Sequence, residues 1–110
     1  MRILILDDVP ERHTAFAERF LGEEVSHVYL HASAVAVLKV ELAFDKVYLD
    51  HDLGTVATGY DTAKFIALEL PKEQRPKLVV VHTNNPIGGD RMLRILQDGG
   101  VDTEHQPFRA

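Results

Sequence analysis

Three short segments of this sequence carry side chains that can do chemistry together. Asp7 and Asp8 close the apolar run RILIL, Asp50, His51 and Asp52 end or follow KVYL, and His82, Thr83 and Asn84 follow LVVV. Carboxylates that converge within a few ångströms repel one another, so a set of them persists as anions mainly when a cation neutralises it. Oxygen donors of this kind favour Mg²⁺ or Mn²⁺, with Asp7, Asp8, Asp50 and Asp52 as the candidate ligands. An ion held there would in turn hold a phosphoryl group through its free coordination positions. Acids at strand–helix junctions also cap helices: Asp8 serves equally well as an N-cap, and Asp52 as a loop-fixing Asx residue. Capping needs one acid per helix, though, and does not predict that Asp7, Asp8 and Asp50 converge.

His51 and His82 stand beside these acids. A lone histidine at a strand end commonly satisfies backbone groups, but two at one edge raise proton transfer or metal ligation as a role for at least one. The segment HTNNPIGGDRM has the makings of an anion cradle. Thr83 and Asn84 offer side-chain donors, Gly88 and Gly89 let backbone N–H groups approach at a helix start, and Arg91 supplies a fork for phosphate. The same run of Asn, Pro and Gly is also what a tight turn looks like. Asp61 reads as a helix cap, and His13, His27, His31 and His105 carry no assigned role.

The elements that must position these residues alternate. The almost uniformly apolar Arg2–Leu6 reads as a strand buried on both faces and the β-branched run Leu78–Val81 as the clearest strand, with further strands at Val25–Leu30 and Lys46–Asp50 and a weak last one near Val101–Pro107. Between them, helical periodicity runs from Pro10 to Leu21, from near Ser33 to near Leu42, through Ala63, Ile66, Ala67 and Leu70, and through Met92, Leu93 and Leu96 to Gly99 and Gly100. Strands alternating with helices through right-handed crossovers imply an α/β fold: a doubly wound five-stranded parallel sheet of order 2-1-3-4-5 over residues 1–110 as one domain. Ligands in such sheets sit outside the carboxyl ends of strands one and three. All three segments fall there.

Composition bounds the function further. With 45% of its residues hydrophobic, the chain has the apolar content of a globular domain. The absence of cysteine excludes disulfides and thiolate chemistry. No apolar run approaches the ~20 residues that span a bilayer, and the expected location is the cytoplasm. A net charge of −5 argues against extensive duplex nucleic-acid binding, yet leaves room for a phosphate-bearing nucleotide or an RNA end.

The motifs YLDHDLG, TGYD and VHTNNPIGGDRM are similar to those of the cyclic-phosphate-processing receiver-like family, a divergent branch of response-regulator receiver domains. Receivers place an acidic pair after strand one, an acceptor aspartate after strand three and a hydroxyl residue after strand four, and Asp7, Asp8, Asp50 and Thr83 match those positions. The resemblance covers most of the chain and extends to His51, Asp52, His82, Asn84 and Arg91. It implies a receiver-like sheet and a pocket that handles nucleic-acid terminal phosphates, in RNA repair or in conflict between bacteria and their viruses. Two departures stand out. Signalling receivers carry a lysine after strand five, whereas Val101–Ala110 contains none; and the final helix of those domains is expected to be missing.

The leading expectation is therefore a metal-dependent phosphoesterase for 2′,3′-cyclic or related terminal phosphates. Asp7, Asp8 and Asp50, with Asp52, would hold Mg²⁺ or Mn²⁺, and His82 or His51 would transfer protons. Thr83, Asn84, Gly88, Gly89 and Arg91 would hold the phosphate; Asp50 could instead act as a nucleophile. The alternative is a non-catalytic receiver-like module, bacterial or virus-encoded, that senses a phosphate ligand or docks on a protein partner.

Overall fold

The computed structural model describes residues 1–40 and 42–107. Strands β1 (Arg2–Leu6), β2 (Glu24–Val28), β3 (Lys46–Leu49), β4 (Leu78–Val81) and β5 (Thr103–His105) form one sheet in the order β2-β1-β3-β4-β5, every neighbouring pair parallel. Helices α1 (Pro10–Arg19), α2 (His31–Val40), α3 (Gly59–Leu68) and α4 (Pro86–Asp98) connect them, with a short 3-10 turn at Lys72–Gln74. This is the doubly wound sheet that the sequence pattern implies, and among the described residues no helix follows β5. No helix among them is long and apolar enough to cross a membrane.

The missing polar alternation in β1 has a simple cause: both faces of the strand are covered. Leu4, Leu6, Val47, Leu49, Val79 and Val81 pack with Ala34 and Leu38 of α2, Ala63 and Ile66 of α3, and Met92 and Leu96 of α4. Ile3, Ile5, Tyr48 and Val80 point the other way, against Phe16 of α1. Side chains alternate along a strand, so the residues that continue the odd positions of β1 and the even positions of β3 and β4 emerge on the α1 side.

Helix boundaries follow local chemistry. Proline occupies the first turn of α1, where its missing N–H costs nothing. The helix stops at Arg19 rather than Leu21, which is 88% exposed and has no core contact to hold it. The residue in the N-cap position of α1 is Val9, without a side-chain cap, so capping by Asp8 is not realised; the Val9 N–H donates instead to Asp7 Oδ1 at 2.9 Å. α2 starts at His31, whose Nδ1 lies 2.8 Å from Thr62 Oγ1, and Glu41, inside the expected second helix, lies outside the described residues. α3 opens with a reciprocal capping box, the Thr58 hydroxyl accepting from backbone and Asp61 Oδ2 accepting from the Thr58 N–H, as expected for Asp61.

Register delivers the strand ends to one place. Leu6 pairs with Leu49 and Leu49 with Val81, so Asp7, Asp50 and His82 follow in adjacent strands at the same level.

Candidate functional site

By the alternation above, Asp7, Asp50 and His82 all turn toward α1, and each is at least 96% buried. One ligand atom from each lies within 4.8 Å of the others. His82 Nε2 is 2.8 Å from Asp7 Oδ2, and the His82 ring packs edge-on against Phe16 with centroids 5.3 Å apart. His82 Nδ1 has no hydrogen-bond partner. The arrangement suits a neutral imidazole whose Nε2–H donates to a carboxylate; a second N–H would be buried unpaired.

The electrostatics separate the two buried acids. Burial pushes Asp7 up, but the hydrogen bonds from His82 and from the Val9 N–H, together with the Arg12 charge, outweigh it and hold the carboxyl below its usual value. Burial drives His82 down, against the pull of Asp7, and we take the imidazole as neutral and Asp7 as the anion. Asp50 is pushed up to about 7, chiefly by burial and then by the Asp7 charge, against the hydrogen bond from the His51 N–H and the Arg12 guanidinium. A carboxyl that resists ionisation because it is buried, and because an anion stands beside it, marks a site short of positive charge.

In front of these acids opens a cleft of about 470 Å³, lined by Asp8, Val9, Arg12, Asp50, Asp52, Thr83, Asn84, Asn85 and Pro86. Asp8 and Asp52 are exposed at its rim. Thr83 Oγ1 accepts from the Asn85 N–H at 3.1 Å, which leaves its own O–H to donate into the cleft. Asn85 caps α4, its Oδ1 accepting from the Gly88 N–H at 2.9 Å. The donor set fits a hard divalent ion: carboxylate oxygens from two strand ends, incompletely neutralised, beside an open cleft.

Several residues singled out in the sequence lie elsewhere. His82 does not reach the cleft; it stands behind Asp7. His51 is also off the cleft wall, its Nδ1 3.1 Å from Asp52 Oδ1 and its ring over Gly88. A Cβ on Gly88 would sit 2.5 Å from His51 Cδ2, and one on Gly89 would sit 3.1 Å from Thr83 Cγ2. These glycines therefore serve close packing, and their N–H groups already donate to Asn85 Oδ1 and to the Asn85 carbonyl. Arg91 is turned away, stacked 4.4 Å over the Tyr60 ring in a separate groove with Arg94, Ile95 and Asp98.

Arg12 is the residue that sequence reasoning missed. Its Nη1 lies 3.4 Å from Asp7 Oδ2 and 3.5 Å from Asp50 Oδ2. The signal was available: side chains lean toward the N-terminus of a helix, so a long cation in the first turn of α1 reaches back over the strand ends. His13 was missed in the same way. Its Nε2–H donates to the Asp7 carbonyl at 2.8 Å, which helps to fix the start of the loop.

Comparison with solved structures gives the same fold. A CheY-like receiver domain from Methylobacillus flagellatus is similar over 100% of this chain and 87% of its own, with a TM-score of 0.76 at 19% identity. The response regulator TrrA from Thermotoga maritima, in complex with Mg²⁺ and beryllium fluoride, matches over 98% and 86%, with a TM-score of 0.76 at 19% identity. The receiver domain of a sensor histidine kinase from Pseudomonas aeruginosa, with magnesium coordinated in its active-site cleft, matches over 98% and 86%, with a TM-score of 0.71 at 26% identity. No curated protein matches the chain. The sequence of residues 2–98 matches the cyclic-phosphate processing receiver domain, and the chain belongs to that family.

Proposed function

We propose that this domain is a Mg²⁺-dependent phosphoesterase that opens 2′,3′-cyclic phosphates, or hydrolyses related terminal phosphates, at RNA ends in RNA repair or host–virus conflict. The observation that carries the reading is the buried cluster of Asp7 and Asp50 at a cleft that Asp8, Asp50, Thr83 and Asn84 line. A magnesium-bearing receiver cleft in the Pseudomonas relative supports the choice of ion.

Asp7, Asp8 and Asp50 would hold the ion, which supplies Lewis-acid polarisation of the phosphoryl oxygens and a more acidic water. His82 does not touch substrate. It positions: its Nε2–H fixes Asp7 Oδ2 and keeps that carboxylate ionised and aimed forward. Thr83 O–H and the Asn84 amide orient the phosphoryl group and stabilise the charge that develops on it. Water oxygen would bond to phosphorus as one ribose P–O bond breaks; the water gives up one proton and the departing ribose oxygen takes one up. Asp52 lines the cleft and His51 Nδ1 lies 3.1 Å from its Oδ1, so His51 would manage these protons through Asp52. That neither histidine lines the cleft favours a second reading, a phosphate-holding module with no turnover.

Asp7→Asn, Asp8→Asn and Asp50→Asn should each weaken Mg²⁺ binding in calorimetry while the fold survives. Equal affinities in all four proteins would remove the metal site.

A further inference from the structure

Arg12 sits where a cation belongs. One nitrogen, Nη1, lies 3.4 Å from Asp7 Oδ2 and 3.5 Å from Asp50 Oδ2, so the guanidinium faces both carboxylates at once. Both contacts are at the weak end of hydrogen-bond length. The side chain is 28% exposed and lines the cleft itself, so it has open space to move into. A divalent ion binds carboxylate oxygens at ~2.0–2.1 Å and would compete for the same two oxygens that face Nη1. Two cations cannot share them without strong mutual repulsion.

We propose that Arg12 is a built-in counter-ion of the acidic pair, which must leave for a divalent cation to enter and which then binds the phosphate oxygens of the ligand. The exchange keeps the site charge-balanced in both states. Without metal, the guanidinium screens Asp7 from Asp50. With metal, the same guanidinium is released into the cleft beside Thr83 and Asn84, where its planar fork matches a phosphate. Arg12 would thus take the phosphate-gripping role that the sequence suggested for Arg91, whose side chain is committed to Tyr60. A substrate bearing a dianionic or cyclic phosphate would then favour metal entry, because it gives the displaced guanidinium a partner.

This inference rests on the metal reading of the cleft, and its test keeps the two apart. Mg²⁺ is titrated calorimetrically into wild type and Arg12→Gln, and inorganic phosphate is then titrated into each at saturating Mg²⁺. Removing the competitor should tighten Mg²⁺ binding by about ten-fold and weaken phosphate binding by about ten-fold, opposite signs from one substitution. Equal or weaker Mg²⁺ binding in Arg12→Gln, or unchanged phosphate binding, overturns the role of Arg12 while leaving the metal site in place. No Mg²⁺ binding to either protein overturns both. Should Arg12→Gln fail to fold, the Arg12 Nε–H NMR signal of wild type gives the answer: it should shift on addition of Mg²⁺, and a signal that stays fixed while Mg²⁺ binds would refute the exchange.

Discussion

Asp50→Asn should stabilise the metal-free protein, and more so at alkaline pH. Asn is nearly isosteric and can still accept from the His51 N–H that now donates to Asp50 Oδ1 at 2.9 Å. What it removes is a charge that burial and Asp7 both oppose. The folded-state value of about 7 lies about 3 units above the ordinary 3.8. Folded chains therefore keep this proton when unfolded chains have lost it, so stability falls as pH rises from about 4 to about 7, and the cost is complete above that. At ~1.4 kcal/mol per unit the ceiling is ~4 kcal/mol, and water in the open cleft screens it to roughly half. His82 acts in the opposite sense: its lowered pKa costs stability as pH falls below 6.5. Its contribution is common to both proteins and cancels when they are compared at each pH. Asp7, whose pKa is lowered from 3.8, changes stability only at more acidic pH. Urea unfolding in EDTA at pH 5 and pH 8 measures the difference: the advantage of Asp50→Asn should grow by roughly 1–3 kcal/mol between them. An advantage independent of pH, or a variant less stable at pH 8, would refute the assignment of the proton to Asp50.

Gly59→Ala should be severely destabilising, by more than ~3 kcal/mol in chemical unfolding, since its Cβ would fall 1.7 Å from the Asp50 carbonyl oxygen. A near-wild-type melting point would mean that the loop after β3 can move away. Thr58→Ala should cost ~1 kcal/mol by unhooking the capping box of α3, whereas no loss would show the cap to be redundant. With no lysine in Val101–Ala110, acetyl phosphate should not produce a long-lived phospho-Asp50; stable stoichiometric labelling by intact mass would contradict this.

Much of the fold was legible because βα alternation and the apolar runs at Arg2–Leu6 and Leu78–Val81 encode a sheet covered on both faces. The acids were legible too, since parallel register carries strand-end residues to one level. What sequence could not supply was side-chain direction beyond the strands. His82 continues the inward parity of Val80 and so is buried behind Asp7, and Arg91 lies on the α4 face that meets Tyr60. Gly88 and Gly89 look like an anion cradle in one dimension, but pack against His51 and Thr83 in three. Arg12 carried no motif, and its one signal was a place in the first turn of α1, from which a long side chain reaches back over the strand ends.

The most direct measurement is end-mapping of a short RNA that terminates in a 2′,3′-cyclic phosphate, incubated with the protein with and without Mg²⁺. The account predicts conversion to an open terminal phosphate only with Mg²⁺, abolished in Asp7→Asn and reduced by ~10²-fold or more in His51→Gln. An RNA that binds the protein in the presence of Mg²⁺ but keeps its cyclic end would contradict catalysis and leave a phosphate-holding module in its place.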